Sequence, residues 1–207
     1  MKYIRKSSPP ESLVEYRKLP NSSYKNFKSN QALYLETKKA LCEEQGYICC
    51  YCGRRINGDR KTQIEHLYPK GYAQYKDMQL DYETNLLACC DGGKSNLTNT
   101  AENNDSLFCD AAKGEQIIPV NPLTVECENK FIFNAKGEVL GNSKDAEVTI
   151  KILNLNSPLL VNMRKHAIDY YAAYCPAFTR EDFKAEIERL DKMKDGKFEE
   201  FCFVLKS

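Results

Sequence analysis

Much is decided by what this 207-residue chain lacks. It has no excess of charge: Lys and Arg total 30 and Asp and Glu total 29, for a net charge of +1. General polyanion binders are as a rule strongly basic, so the balance argues weakly against nucleic acid. No hydrophobic run approaches the length of a transmembrane helix, so no membrane association is expected. Met1 to Val14 carries Lys and Arg but no apolar signal core and no small-residue cleavage site, which predicts a cytoplasmic protein. There is no internal repeat. There is also no Walker A motif, so ATP is not expected to bind by that route. Histidine occurs only twice. At 42% hydrophobic and 29% charged residues, the chain still falls in the range of folded globular proteins.

What is abundant is cysteine, with 10 residues. Cysteines at this density form disulfides, bind metal or serve as small buried hydrophobes. In a reducing cytosol disulfides are disfavoured, and thiolate ligands for zinc become the favoured reading for some of them.

Three segments are expected. Residues 1–45 form an N-terminal arm and helix. Residues 1–30 are polar, with Pro9, Pro10 and Pro20, and predict an arm lying over the surface. A helix follows, with Asn30 as N-cap and Gly46 just past its end. Residues 46–125 hold the thiol pairs and the reactive residues. Within them, 61–68 reads as a short strand or turn, 91–107 as a polar surface loop, and Cys109 to Gly114 as a helical turn closed by glycine. Residues 126–207 begin with a β-hairpin across Phe131 to Leu140, around Gly137. Two helices follow. Ser157 and Pro158 start the first, with Leu160, Met163, Ala167, Ile168 and Tyr171 on its buried face and Pro176 as its stop. Thr179 and Asp182 form a capping box for the second, with Phe183, Ile187 and Leu190 along one face.

Cys49-x-x-Cys52 is a zinc-knuckle spacing, in which both thiolates reach one tetrahedral ion. The second pair is expected from Cys90 and Cys109, across a long loop whose closure entropy grows only slowly with length. Cys50 and Cys89 are adjacent rivals. Cys42, Cys127, Cys175 and Cys202 are expected to be core thiols. Between the thiol pairs stand Glu65-His66, before Pro69, and Asn85. Asp110 and Lys113 follow Cys109.

These segments, in this order from Cys49 to Gly114, resemble the HNH endonucleases. They most resemble the small HNH nuclease of Septu-type anti-phage defence, which is also found as a retron effector. Cys-Cys-Tyr-Cys, Ile-Glu-His, Asn-Leu-Leu-Ala-x-Cys, Cys-Asp-x-x-Lys-Gly and Ile152 to Asn156 ahead of a helix bearing Arg164 carry the likeness. The core match spans about a third of the chain and a weaker one most of it. It implies an α+β fold with a ββα-metal core stapled by four cysteines and surrounded by helices and a small β-hairpin.

Phosphodiester hydrolysis needs an activated water and relief of charge on the leaving 3′ oxygen. The resemblance implies His66 as general base and Glu65 as a ligand of a catalytic Mg²⁺ or Mn²⁺. Asn85 is expected to orient the loop or the ring of His66. Strand alternation places Glu65 opposite His66. Asp110 stands where the family usually has Asn or His, and as a hard oxygen donor it keeps the metal site plausible. Zinc on Cys49, Cys52, Cys90 and Cys109 would be structural, with no open position. Arg54, Arg55, Arg60, Lys61 and Lys70 put five cations around the site, of which Arg54, Arg55 and Lys70, with Lys113, are the candidates for contacting phosphates. DNA is the expected substrate. The resemblance implies an ABC/SMC-like ATPase subunit as partner, and a retron reverse transcriptase with its DNA as a further one. The competing readings are the same chemistry on RNA, and a zinc-stapled binding subunit without catalysis.

Overall fold

The computed structural model describes residues 1–96, 106–174 and 178–207. The described residues fold as a mixture of helices and two small antiparallel sheets.

Residues 1–30 do not lie loosely over the surface, as their polar composition predicts. They form α1 (Glu11–Arg17) and α2 (Tyr24–Ser29), and each buries one large residue completely, Leu13 and Phe27. Met1 and Ile4 are buried too, and the Ile4 amide donates to the Pro122 carbonyl at 2.9 Å. Single apolar anchors spaced far apart set up no helical period, so the polar residues between them dominate the sequence signal.

α3 (Gln31–Glu44) begins as expected. The Asn30 side chain accepts from the Leu33 amide at 3.3 Å, and Gly46 takes φ +58° just past the end. Its C-cap residue Gln45 then ties α3 to the site. Gln45 exchanges hydrogen bonds with both backbone groups of Ala88, at 2.7 and 2.8 Å, and donates to the Ile48 carbonyl.

β1 (Thr62–His66) pairs antiparallel with β2 (Leu86–Cys90), and both strands are almost wholly buried. The register sets Glu65 opposite Leu87 and His66 opposite Leu86, and puts Thr62 opposite Cys90. A single turn of helix, α4 (Asp110–Lys113), follows Cys109 and ends at Gly114. Of the expected polar loop 91–107, residues 97–105 lie outside the described residues. Its start does not behave as surface, because Asp91, Gly92 and Gly93 are buried.

The hairpin pairs β3 (Phe131–Phe133) with β4 (Val139–Gly141). α5 (Lys144–Ile152) follows, capped by Ser143 and unanticipated in the sequence. α6 (Pro158–Tyr174) begins after Ser157, whose carbonyl accepts from Val161 while its hydroxyl makes no capping bond. On its expected apolar face Leu160 is fully buried, and Met163, Ala167, Ile168 and Tyr171 are partly so. Pro176 and Cys175 fall outside the described residues. α7 (Arg180–Leu190) has the Thr179–Asp182 capping box, but Phe183 and Ile187 are about half exposed, at 51% and 46%. α8 (Cys202–Leu205) closes the chain. The main core draws on residues from Met1 to Val204. No helix among the described residues is long and apolar enough to cross a membrane.

Candidate functional site

Six cysteines gather between the knuckle, β2 and α4. The Sγ atoms of Cys49, Cys52, Cys90 and Cys109 all lie within 4.8 Å of one another, and all four residues are buried. Cys49 and Cys109 are 3.9 Å apart, and Cys52 and Cys90 are 3.8 Å apart. A tetrahedral ion with metal–sulfur bonds of about 2.3 Å needs sulfurs roughly 3.8 Å apart, so this group suits one zinc-sized ion.

Local backbone explains the placement. The knuckle closes through Cys49 N to Arg54 O at 2.8 Å and Gly53 N to Cys49 O at 3.1 Å. Gly53 has φ +78°, and a Cβ there would lie 2.6 Å from the Phe203 ring. Cys109 holds φ +55°, unusual for a residue with a side chain, and its amide is anchored on the Leu153 carbonyl at 2.8 Å.

Cys50 and Cys89 form a second group with Cys49, and the Cys49 and Cys89 sulfurs are 3.5 Å apart. Burial pushes the Cys50, Cys52, Cys89 and Cys109 thiols well up. Burial opposes ionisation of Cys49 as well, yet the surrounding thiols, Cys109 foremost, hold it well below the usual range. Hydrogen bonding led by Cys109 brings Cys90 down to about 6. The fully buried Cys42, Cys127 and Cys202 stand apart from both groups.

Beside β1 a cavity of about 330 Å³ is lined by Glu65, His66, Lys70, Asp110 and Lys113, among others. Glu65 and His66, neighbours at the end of β1, both line it, as do Gln63 and Ile64 before them.

Glu65 is 3% exposed, and its Oε1 accepts from the Tyr51 hydroxyl at 2.9 Å and meets Lys113 Nζ at 2.9 Å. Neither partner occupies Oε2. Burial and the touching Asp110 carboxyl push the Glu65 carboxyl up to about 8, against the pull of Lys113. Two carboxyls in contact repel when both ionise, and a hard divalent cation between them removes that cost. Glu65 and Asp110 could in this way share a hard divalent cation.

The His66 ring nitrogen Nε2 is 3.0 Å from the Gln79 carbonyl. A carbonyl only accepts, so Nε2 carries the proton and Nδ1 keeps its lone pair. Burial, then Lys70, hold the imidazole neutral by lowering its pKa to about 3. Asn85, fully buried, does not touch the ring. It clamps the loop between the strands, accepting from the Tyr68 amide at 2.7 Å and donating to the Met78 carbonyl at 2.8 Å. Met78 is the neighbour of the Gln79 that holds His66.

The expected ring of cations is only partly brought together. Lys70 lines the cavity. Arg55 does not: its guanidinium is spent on the Gly46, Tyr47 and Phe198 carbonyls. Arg54 sits beside the thiols, 3.8 Å from Asp91 and over the Phe108 ring. Lys113 is 1% exposed and also donates to the His66 carbonyl at 2.9 Å, so it braces the site from inside instead of facing a solvated phosphate. Sequence reasoning missed Tyr24, Lys28 and Tyr34, which line the same cavity from α2 and α3. The Tyr24 and Lys28 pair at i and i+4 was the available signal, obscured by the polar composition around it.

No model of a known protein family matches this chain. It is 27% identical over 213 residues to a protein of Escherichia coli named as the HNH endonuclease of retron Ec83, with 83% of this chain and 80% of that protein covered. It is 25% identical over 175 residues to the protein named as the HNH endonuclease of retron Vc95 in Vibrio cholerae, with 79% and 80% covered. A shorter match, 29% over 130 residues, covers 62% of this chain but only 18% of the Septu protein PtuA of Bacillus mycoides. Over about four fifths of its length the chain is thus similar to two proteins named as retron HNH endonucleases, and over a shorter stretch to a Septu protein.

Proposed function

We propose that this chain is a metal-dependent endonuclease that hydrolyses DNA phosphodiester bonds as the effector of an anti-phage defence assembly. The observation that carries the reading is the meeting of Glu65, His66 and Asp110 at one cavity, on a strand pair and helical turn that adjoin a four-thiol cluster. In this reading β1, β2 and α4 are the ββα-metal core, and zinc on Cys49, Cys52, Cys90 and Cys109 staples it. Four filled positions leave that ion no open site for chemistry.

His66 acts as general base. Its Nε2–H is held by Gln79, and the Nδ1 lone pair takes the proton of the attacking water. The ring is in its basic form throughout the physiological range because burial keeps it neutral. Asn85 positions His66 through the loop it clamps. Lys113 keeps Glu65 oriented and neutralises part of the acidic charge before substrate arrives. A divalent cation held by Glu65 and Asp110 would supply charge relief for the leaving oxygen.

A near-neutral surface suits a nuclease that another protein delivers to its target. The partial match to a much longer Septu protein supports a larger partner, which we take to be an ATPase subunit of the ABC/SMC type.

The test is plasmid nicking with Mg²⁺ or Mn²⁺, with and without the ATPase, and with RNA as a parallel substrate. Cleavage of DNA by the wild type and its loss in His66→Ala is the expected result. If His66→Ala folds, keeps its zinc and cuts like the wild type, the reading fails. Cleavage confined to RNA would move the substrate.

A further inference from the structure

The cavity has a wall that the catalytic reading does not use. It comes from α2, in the N-terminal segment. Tyr24 meets the His66 ring with centroids 4.4 Å apart and planes at 85°, an edge contact of the favourable kind. On the same tyrosine, Lys70 Nζ stands 4.6 Å from the ring centroid. Tyr34, from α3, lines the cavity beside it. One ring thus contacts both the general base and a cation.

Lys28 is one helical turn beyond Tyr24, is exposed, and lines the cavity with it. Neither Lys28 nor Lys70 makes an ion pair among the described residues, whereas the buried Lys113 is already committed to Glu65. Two unpaired cations therefore flank a cleft whose floor holds Glu65, His66 and Asp110.

The geometry points to a phosphate subsite at this rim: Lys28 and Lys70, either side of Tyr24, take a backbone phosphate next to the scissile one. Tyr24 is a positioning residue for both Lys70 and His66. The subsite reads no base, since lysines on phosphates carry no sequence information. This inference rests on the nuclease reading and names how that site holds its substrate.

The experiment measures binding of a fluorescein-labelled duplex of 30 base pairs by anisotropy, without divalent cation, across a salt series. The wild type, Lys28→Ala, Lys70→Ala and Lys25→Ala are compared. Lys25 is exposed on the same helix but does not line the cavity, so it controls for net charge alone. Lys28→Ala and Lys70→Ala should each lower the slope of log K against log salt by about one, the mark of one lost phosphate contact. Lys25→Ala should leave the slope unchanged, and Lys28→Arg should restore it. For Tyr24, the phenylalanine variant should keep most of kcat and the leucine variant should lose at least tenfold.

A Lys28→Ala slope equal to that of Lys25→Ala overturns the subsite, and if the wild type still cuts DNA the nuclease reading survives. A wild type that binds with a Lys28-dependent slope but cuts no nucleic acid upholds the subsite and sinks the nuclease reading. Tyr24→Leu with wild-type kcat removes the positioning role.

Discussion

Lys113 Nζ stands 2.9 Å from Glu65 Oε1 and, at the same distance, donates to the carbonyl of His66, with only 1% of its side chain exposed. One buried ammonium thus joins α4 to both Glu65 and His66 of β1. Removing one partner of a buried pair leaves the other uncompensated, which costs about 3–5 kcal/mol. Lys113→Met should destabilise the protein by roughly 3 kcal/mol in urea denaturation, since Glu65 can recover part of the cost by taking a proton. A loss below about 1 kcal/mol would mean that the pair is not what holds α4 against the strand.

The touching carboxyls of Glu65 and Asp110 predict a gain of stability from a hard cation. An ion that binds only the folded chain stabilises it by about 2.7 kcal/mol at a hundredfold excess over Kd. The melting temperature of the wild type should therefore rise with Mn²⁺, and Glu65→Gln and Asp110→Asn should lose that rise. An equal rise in both variants would place the cation elsewhere.

These side-chain pairs show where the sequence was legible. α3 could be read because Asn30 and Gly46 mark its ends with side-chain and backbone chemistry of their own. The capping box at Thr179 and Asp182 was legible for the same reason. Cys49 and Cys52 could be read because metal geometry favours their two-residue spacing, whereas spacing did not single out Cys90 and Cys109 over the rivals Cys50 and Cys89. What stayed hidden depends on long-range burial. Leu13 and Phe27 are isolated anchors without a period, so α1 and α2 looked like a loose arm. Consequently Tyr24 and Lys28 were missed at the site. Nor does local sequence show that Lys113 turns inward while Arg55 is used up on three carbonyls.

Asn85 carries the loop after β1 on both ends of its amide. Asn85→Ala leaves the part-buried Tyr68 amide and Met78 carbonyl without this partner, at about 1 kcal/mol for each group. Asn85→Asp keeps the acceptor for Tyr68 but sets a carboxylate oxygen against the Met78 carbonyl. Both variants should lower kcat more than they raise KM, because they shift Gln79 and the His66 ring it holds. Equal effects on DNA binding, with kcat preserved, would contradict this positioning role.

The two thiol groups separate by substitution. Cys49 belongs to both, so Cys49→Ser should lose the single zinc of the chain, measured by elemental analysis. Cys89→Ser and Cys50→Ser should keep it, since a hydroxyl can still donate to the Cys49 sulfur. Zinc retained in Cys52→Ser and Cys90→Ser but lost in Cys89→Ser would hand the site to the rival group.

Charge near the cluster gives the last prediction. Four thiolates with one Zn²⁺ leave a net charge of about −2. Two arginines lie close enough to balance it. Arg164 is fully buried, donates to the Gly137 and Leu155 carbonyls at 2.7 and 2.5 Å, and feels Cys52 and Cys109. Arg54 feels Cys90 and Cys52. Taking away a nearby cation makes thiolates harder to form, so protons compete better with zinc. Arg164→Met should then release zinc at a higher pH than the wild type as the solution is acidified, read with a chromophoric chelator. Arg164→Lys keeps the charge but cannot reproduce both hydrogen bonds, so it should fall between the two. If Arg164→Met and the wild type release zinc at the same pH, Arg164 holds carbonyls only, and the balance of the cluster must come from elsewhere.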